Sequence, residues 1–338
     1  MRSNTLRMLA IGVLLALGPV VRGDESPAVE SREKIVAAVE RGVALIEKGA
    51  RNYPTQRQCF ACHHQTLPLL ATGEAHAARV KTDEALPATL VAFTAESFRS
   101  QLDDLKAGEN IGGKGLTVGY GLWTMRLADT KPDEVTETMV TYLLKTQEPD
   151  GHWEVHSVRP PAEESLIICT VIAASGVQHY AAPVQRENAA AAVNKARMWI
   201  ASSACTSQED KIARLWGLKL LGGSNEEISM ARQIVLAAQR ADGGWGQTSE
   251  MESDAYATGS TLFVLLEAGV APGDLKLQCA IEFLLKSQLD DGSWHVKTRA
   301  KPVQKFFDNG DPHGKDQFIS IAGTCWAVAA LARTVQKE

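Results

Sequence analysis

The chain has 338 residues, 45% of them apolar and 22% charged, with a formal charge of −5. That content excludes a disordered or collagen-like chain, and the lack of a basic excess argues against a nucleic-acid partner. Six cysteines in a chain this long are too few for a disulfide-stapled scaffold.

Residues 1–23 read as an export signal. Arg2 and Arg7 precede an apolar run from Met8 to Leu17, followed by Gly18, Pro19 and Gly23. The run is too short for a permanent anchor, and no longer one follows. Residues 24–338 are therefore expected to be a single exported domain, periplasmic or secreted, without a membrane span.

An amphipathic helix is predicted over 34–48, and the sharpest chemical motif follows it: Cys59-Phe-Ala-Cys62-His63-His64. Cys-x-x-Cys-His is the attachment sequence of c-type haem, in which two thiols form thioethers and the next His ligates iron. The expected cofactor is haem c on Cys59 and Cys62, with His63 as the proximal metal ligand. Two other readings use the same atoms. Cys59 and Cys62 can form a disulfide, or join His63 or His64 in a zinc site. For the distal iron position the candidates are Met251, His156, His295 and His313. A five-coordinate haem is equally allowed.

The pattern then alternates. Segments 67–79, 116–127, 165–175, 211–221, 256–267 and 318–333 are apolar nearly all round, as buried helices are. Segments 34–48, 86–105, 134–145, 188–202, 226–238 and 276–286 keep one charged face. Taken alternately, they predict an all-α chain of about six inner and six outer helices, without the period-two alternation of strands.

Three loops share one spelling: Gln147 to Trp153, Gln239 to Trp245 and Gln288 to Trp294, each with Asp-Gly in the middle (Asp150-Gly151, Asp242-Gly243, Asp291-Gly292). Each follows an outer segment, and the spacing gives a period of roughly 48 residues, as in stacked helix pairs. Outer-to-inner connections such as 50–65, 147–163, 239–255 and 288–317 are the long ones. Most inner-to-outer connections are short, with 176–187 the exception. In an alternating ring all connections of one kind leave the same end, so one rim is expected to carry the site. His63, His64, His152, His156, His295 and His313 all fall on it.

The loops at 147–153, 239–245 and 288–294 resemble the QW repeats of the α/α-toroid superfamily of squalene–hopene cyclases and protein prenyltransferase β-subunits. The string from Cys62 to Ala71 resembles a segment of exported bacterial cyclase-like proteins that carry the Cys-x-x-Cys-His motif. The resemblance implies an (α/α)6 toroid in which the Gln amide and the Trp tie one outer helix to its neighbour. It also implies an acid in an Asp-x-Asp-Asp string, which this chain lacks. Its counterpart segment, Ser253 to Gly259, keeps one carboxylate. Asp254 is thus the candidate general acid if buried, set against its plainer reading as the N-cap of the following helix. Tyr120, Trp123, Trp216, Phe263 and Trp326 are either an aromatic lining or core. Asp308, Asp311, His313 and Asp316 can bind a cation or form turns, and Cys205 can pair.

These readings describe an exported toroid with haem c, doing redox or haem-ligand chemistry with a redox partner or an apolar small molecule. The alternatives are an isoprenoid-binding or cyclase-like isomerase with a structural Cys pair, and a non-catalytic interaction scaffold.

Overall fold

A computed structural model describes residues 31–156, 159–301 and 306–336. The expected export signal lies outside the described residues. In chain order the helices are α1 (Arg32–Gln56), α2 (Thr66–Ala77), α3 (Leu86–Arg99), α4 (Leu102–Ala107), α5 (Lys114–Leu127), α6 (Glu134–Thr146) and α7 (Leu166–Tyr180). They continue with α8 (Arg186–Ser202), α9 (Gln208–Leu220), α10 (Asn225–Ala237), α11 (Ala255–Glu267), α12 (Leu275–Ser287) and α13 (Gln317–Thr334). Among the described residues no helix is long and apolar enough to cross a membrane.

The six apolar helices close a ring. α2 packs on α5, α5 on α7, α7 on α9, α9 on α11, α11 on α13, and α13 back on α2. α7 and α13 are buried around most of their circumference, as the even distribution of their apolar residues requires. The amphipathic helices pack outside with their apolar stripes inward, which gives the α/α toroid.

Each repeated loop is the same clasp. The Nε2 groups of Gln147, Gln239 and Gln288 donate to their own loop glycine's carbonyl and to a carbonyl of the next outer helix: Ala192, Lys276 and Ala38. Gly151, Gly243 and Gly292 have φ of 108°, 85° and 87°. A Cβ there would lie only 2.7, 2.5 and 2.5 Å from backbone of Lys195, Cys279 and Arg41 on that same helix, so only glycine lets the two backbones approach. The fully buried Trp153, Trp245 and Trp294 donate Nε1 to Leu143, Val235 and Leu284, ending the helix before the loop. Their backbone N–H groups meet threonine hydroxyls of the inner helix after it, Thr170, Thr258 and Thr324. One loop thus fixes three helices.

Three boundaries differ from expectation. α1 continues to Gln56 instead of stopping near 48. α7 continues to Tyr180, so the one long inner-to-outer connection shortens to 181–185. The single outer helix expected over 86–105 breaks at Ser100–Gln101 into α3 and α4. There Ser100 Oγ and Gln101 Nε2 both bond the Ser97 carbonyl, at 2.9 and 2.8 Å, and offer the backbone an alternative to helix. The first and last described segments meet on α2: Arg32 donates to the Ala78 carbonyl and Gln336 to Glu74.

Candidate functional site

The outer-to-inner loops leave one rim together, and the motif residues sit there at the entry to α2. Two hydrogen bonds hold their turn: Phe60 N–H to Ser97 Oγ at 2.9 Å and Ala61 N–H to Gln65 Oε1 at 2.7 Å. Cys59 is exposed, Cys62 is half-buried, and both are free thiols, so the disulfide reading does not describe this structure. Cys205 is free as well. Burial pushes the Cys62 thiol up to about 12, which keeps it protonated. Cys59 Sγ lies 3.7 Å from the Tyr53 hydroxyl.

Behind the thiols the two histidines meet edge to face, with Nδ1 of His63 and Nδ1 of His64 2.5 Å apart. His64 is fully buried, stacked on Tyr53 at 4.7 Å, and its Nε2 lies 2.8 Å from Asp311 Oδ2. His63 stacks on Phe318 at 5.0 Å. Burial first, then His64 and Arg159, hold the His63 imidazole well below the usual histidine range, so it is neutral. Its Nε2 has no hydrogen-bond partner among the described residues.

The distal candidates make contacts of their own. The ring neighbours of His63 are Tyr53, His64 and Phe318, and none of Met251, His156, His295 or His313 is among them. His295 and His313 stack on each other at 4.6 Å. Their Nε2 atoms lie 2.9 Å from Asp316 Oδ2 and 2.8 Å from Ser293 Oγ, respectively. Met251 accepts from Arg240 through its carbonyl, and His156 is exposed in the loop before α7. The acidic group near 308–316 disperses: Asp308 receives the Gly310 N–H, Asp311 faces His64, and Asp316 faces His295. Among the described residues no three His, Cys, Asp or Glu side chains converge as a metal-ligand set.

Asp254 is the N-cap of α11, accepting from the Ala257 N–H at 2.9 Å and from Gln247 Nε2 at 2.9 Å. Burial raises it above the ordinary carboxyl range against those hydrogen bonds. The stronger acid-bearing position is one that sequence reading missed, Glu209 in the first turn of α9. Burial, followed by repulsion from Asp210, pushes its carboxyl up to about 8. The Tyr256 hydroxyl donates to its Oε1 at 3.4 Å. Glu209 also interacts electrostatically with Tyr120 on α5, as does Cys62 ahead of α2. A signal was present: Glu209 precedes the buried Ile212, Ala213 and Trp216 by three, four and seven residues, on one helical stripe.

Deeper along the axis the ring is filled by aromatic side chains. Trp123 lies 4.9 Å from Trp216 and 6.3 Å from Trp326, with Phe263 5.5 Å from Trp326. The recess beside Trp123 and Trp216 holds only about 10 Å³. Among the described residues the indole N–H of Trp216 is buried without a partner.

No family model matches the chain, and no curated protein matches it in sequence. Solved structures do match its shape. The type II terpene cyclase MstE from Scytonema superposes with a TM-score of 0.59 at 15% identity, covering 90% of this chain and 99% of that one. A protein from Actinoplanes gives 0.56 at 16%, covering 90% and 100%. A glycosidase in complex with glucose gives 0.57 at 12%, covering 91% and 99%. At such identities the likeness establishes the fold, an all-helical α/α toroid like that of type II terpene cyclases. The glycosidase shows that this fold serves more than one chemistry.

Proposed function

We propose that the protein binds an isoprenoid-type molecule at the axis of the toroid and acts on it as a cyclase-like isomerase, with Glu209 as the proton donor. One observation carries this reading: a buried carboxyl kept protonated at neutral pH, bonded to the Tyr256 hydroxyl and carried on the same helix as Trp216, one of the packed interior rings. A carboxyl at about 8 is a poor acid toward a plain alkene. It suits an oxygen whose basicity rises as a C–O bond opens, such as that of an epoxide, and the tryptophan and tyrosine faces stabilise the cation that forms. The closed recess beside Trp123 requires side chains to move on binding. Support from outside the chain is the shape shared with MstE, whose complex with geranylgeranyl dihydroxybenzoate superposes at a TM-score of 0.54, with 14% identity over 90% of this chain and 97% of that one.

The test is incubation with isoprenoid epoxides and alcohols. Binding is read from tryptophan fluorescence and ring formation from chromatography. The expected result is binding by both wild type and Glu209→Gln, with product from the wild type alone. If neither protein binds or converts any of them, the isoprenoid reading falls.

A second reading is favoured by the motif turn, where two free thiols precede an imidazole whose Nε2 is unpartnered. This donor set fits a c-type haem: Cys59 and Cys62 would hold it, His63 Nε2 would ligate it, and the group would supply redox or ligand-binding chemistry. A Soret band that survives acid–acetone extraction, in protein made by a haem-attaching host, tests it.

A further inference from the structure

His64 and Asp311 lie 247 residues apart in the chain, yet their side chains are 0% and 1% exposed and in contact. The protons in this cluster can be assigned by counting. Asn309 Nδ2 has two hydrogens, and it lies 2.9 Å from Asp311 Oδ2 and 3.1 Å from the Gly49 carbonyl, so both are used. Its third neighbour, His64 Nε2 at 3.0 Å, receives nothing from it. The hydrogen between His64 Nε2 and Asp311 Oδ2 therefore belongs to the imidazole. In a neutral His64, Nδ1 is then a bare acceptor, and the 2.5 Å contact is made by a hydrogen on His63 Nδ1. The nitrogen left over on His63 is Nε2, for which no hydrogen-bond partner is found among the described residues.

We infer that Asp311 and His64 are positioning residues for His63, fixing it as the Nδ1–H tautomer so that Nε2 offers its lone pair to an electron-pair acceptor, of which an iron held through Cys59 and Cys62 is the fitting case. The identity of that acceptor rests on the haem reading, whereas the tautomer does not. Second partners of this kind set both the orientation and the donor strength of a ligating imidazole. The site is built for this contact. Gly49 leaves the space that Asp311 Oδ1 occupies, Asn52 clasps the Asn309 carbonyl, and Tyr53 covers the face of His64.

The test reads the tautomers directly, by long-range proton–nitrogen NMR on the full chain with nitrogen-labelled histidine, made without haem. The expected spectrum gives His63 a protonated Nδ1 and bare Nε2, and His64 the reverse. In Asp311→Asn the new amide donates to His64 Nε2, so both rings should invert, leaving His63 with Nε2–H. Carbethoxylation mapped by mass spectrometry should modify wild-type His63 and slow about tenfold or more in that variant. A wild-type His63 carrying its proton on Nε2 overturns the inference, and it does so even if the variant does not fold. A missing Soret band alongside the expected tautomers retires the haem reading alone.

Discussion

The Gln288 amide donates to the Ala38 carbonyl at 2.9 Å and so joins the last outer helix to the first. This clasp closes the outer layer, with the Arg41 guanidinium on the Gln288 side-chain oxygen completing it. Gln288→Ala should lower stability by about 1–2 kcal/mol through the lost hydrogen bonds. Trp294→Ala, which empties a fully buried site, should cost about 3–5 kcal/mol. Urea denaturation of both variants checks the order and the size.

Gly49→Ala should act at a distance along the chain. A Cβ at that position overlaps Asp311 Oδ1, which must shift and release His64. The expected cost is about 1–3 kcal/mol, as for other overpacked positions. Histidine NMR should show the His63 and His64 signals disturbed together, and the disturbance should be absent in Gly73→Ala, where a Cβ meets nothing within 4 Å.

Glu209 makes stability fall with rising pH. Its carboxyl binds a proton more tightly folded, at about 8, than at the ordinary 4.5. The benefit of burying it neutral is complete below about pH 4.5 and is lost as pH rises through about 8, by roughly 5 kcal/mol at most. Denaturation at pH 6 and pH 9 should show the loss in the wild type, and Glu209→Gln should abolish that part of it. Proton donation by Glu209 should disappear over the same range.

The two motif thiols should differ in reactivity. Cys59 is exposed, while Cys62 is protonated at neutral pH because burial holds it at about 12. Brief alkylation of haem-free protein at neutral pH, followed by peptide mapping, should label Cys59 and spare Cys62.

The ring and its clasps were legible because their signals are local. A Gln, an Asp-Gly turn and a Trp within seven residues specify one loop, and helical periodicity separates inner from outer segments. The site was legible only in part. Cys59, Cys62 and His63 adjoin one another in sequence, whereas Asp311, which contacts His64, is 247 residues further along the chain. Asp254 stood out as the one carboxylate kept in the segment that resembles the cyclases' acid-bearing one, and in the structure it caps α11. Glu209 was hidden in Ser207-Gln-Glu-Asp210, where Ser207 and Asp210 form the capping box and make the segment look like routine helix initiation. Its inward direction follows from the phase of the helix, not from the residue types.

Arg32 and Gln336 both bond the final turns of α2, so the two ends of the described chain arrive at one spot on a structure that has no intrinsic beginning. A short linker between them would allow the polypeptide to be reopened elsewhere, at an inner-to-outer turn such as 222–224, without unstitching a clasp. Such a circular permutant would keep its helix neighbours and the whole polar rim while reversing which pair of helices is synthesised last.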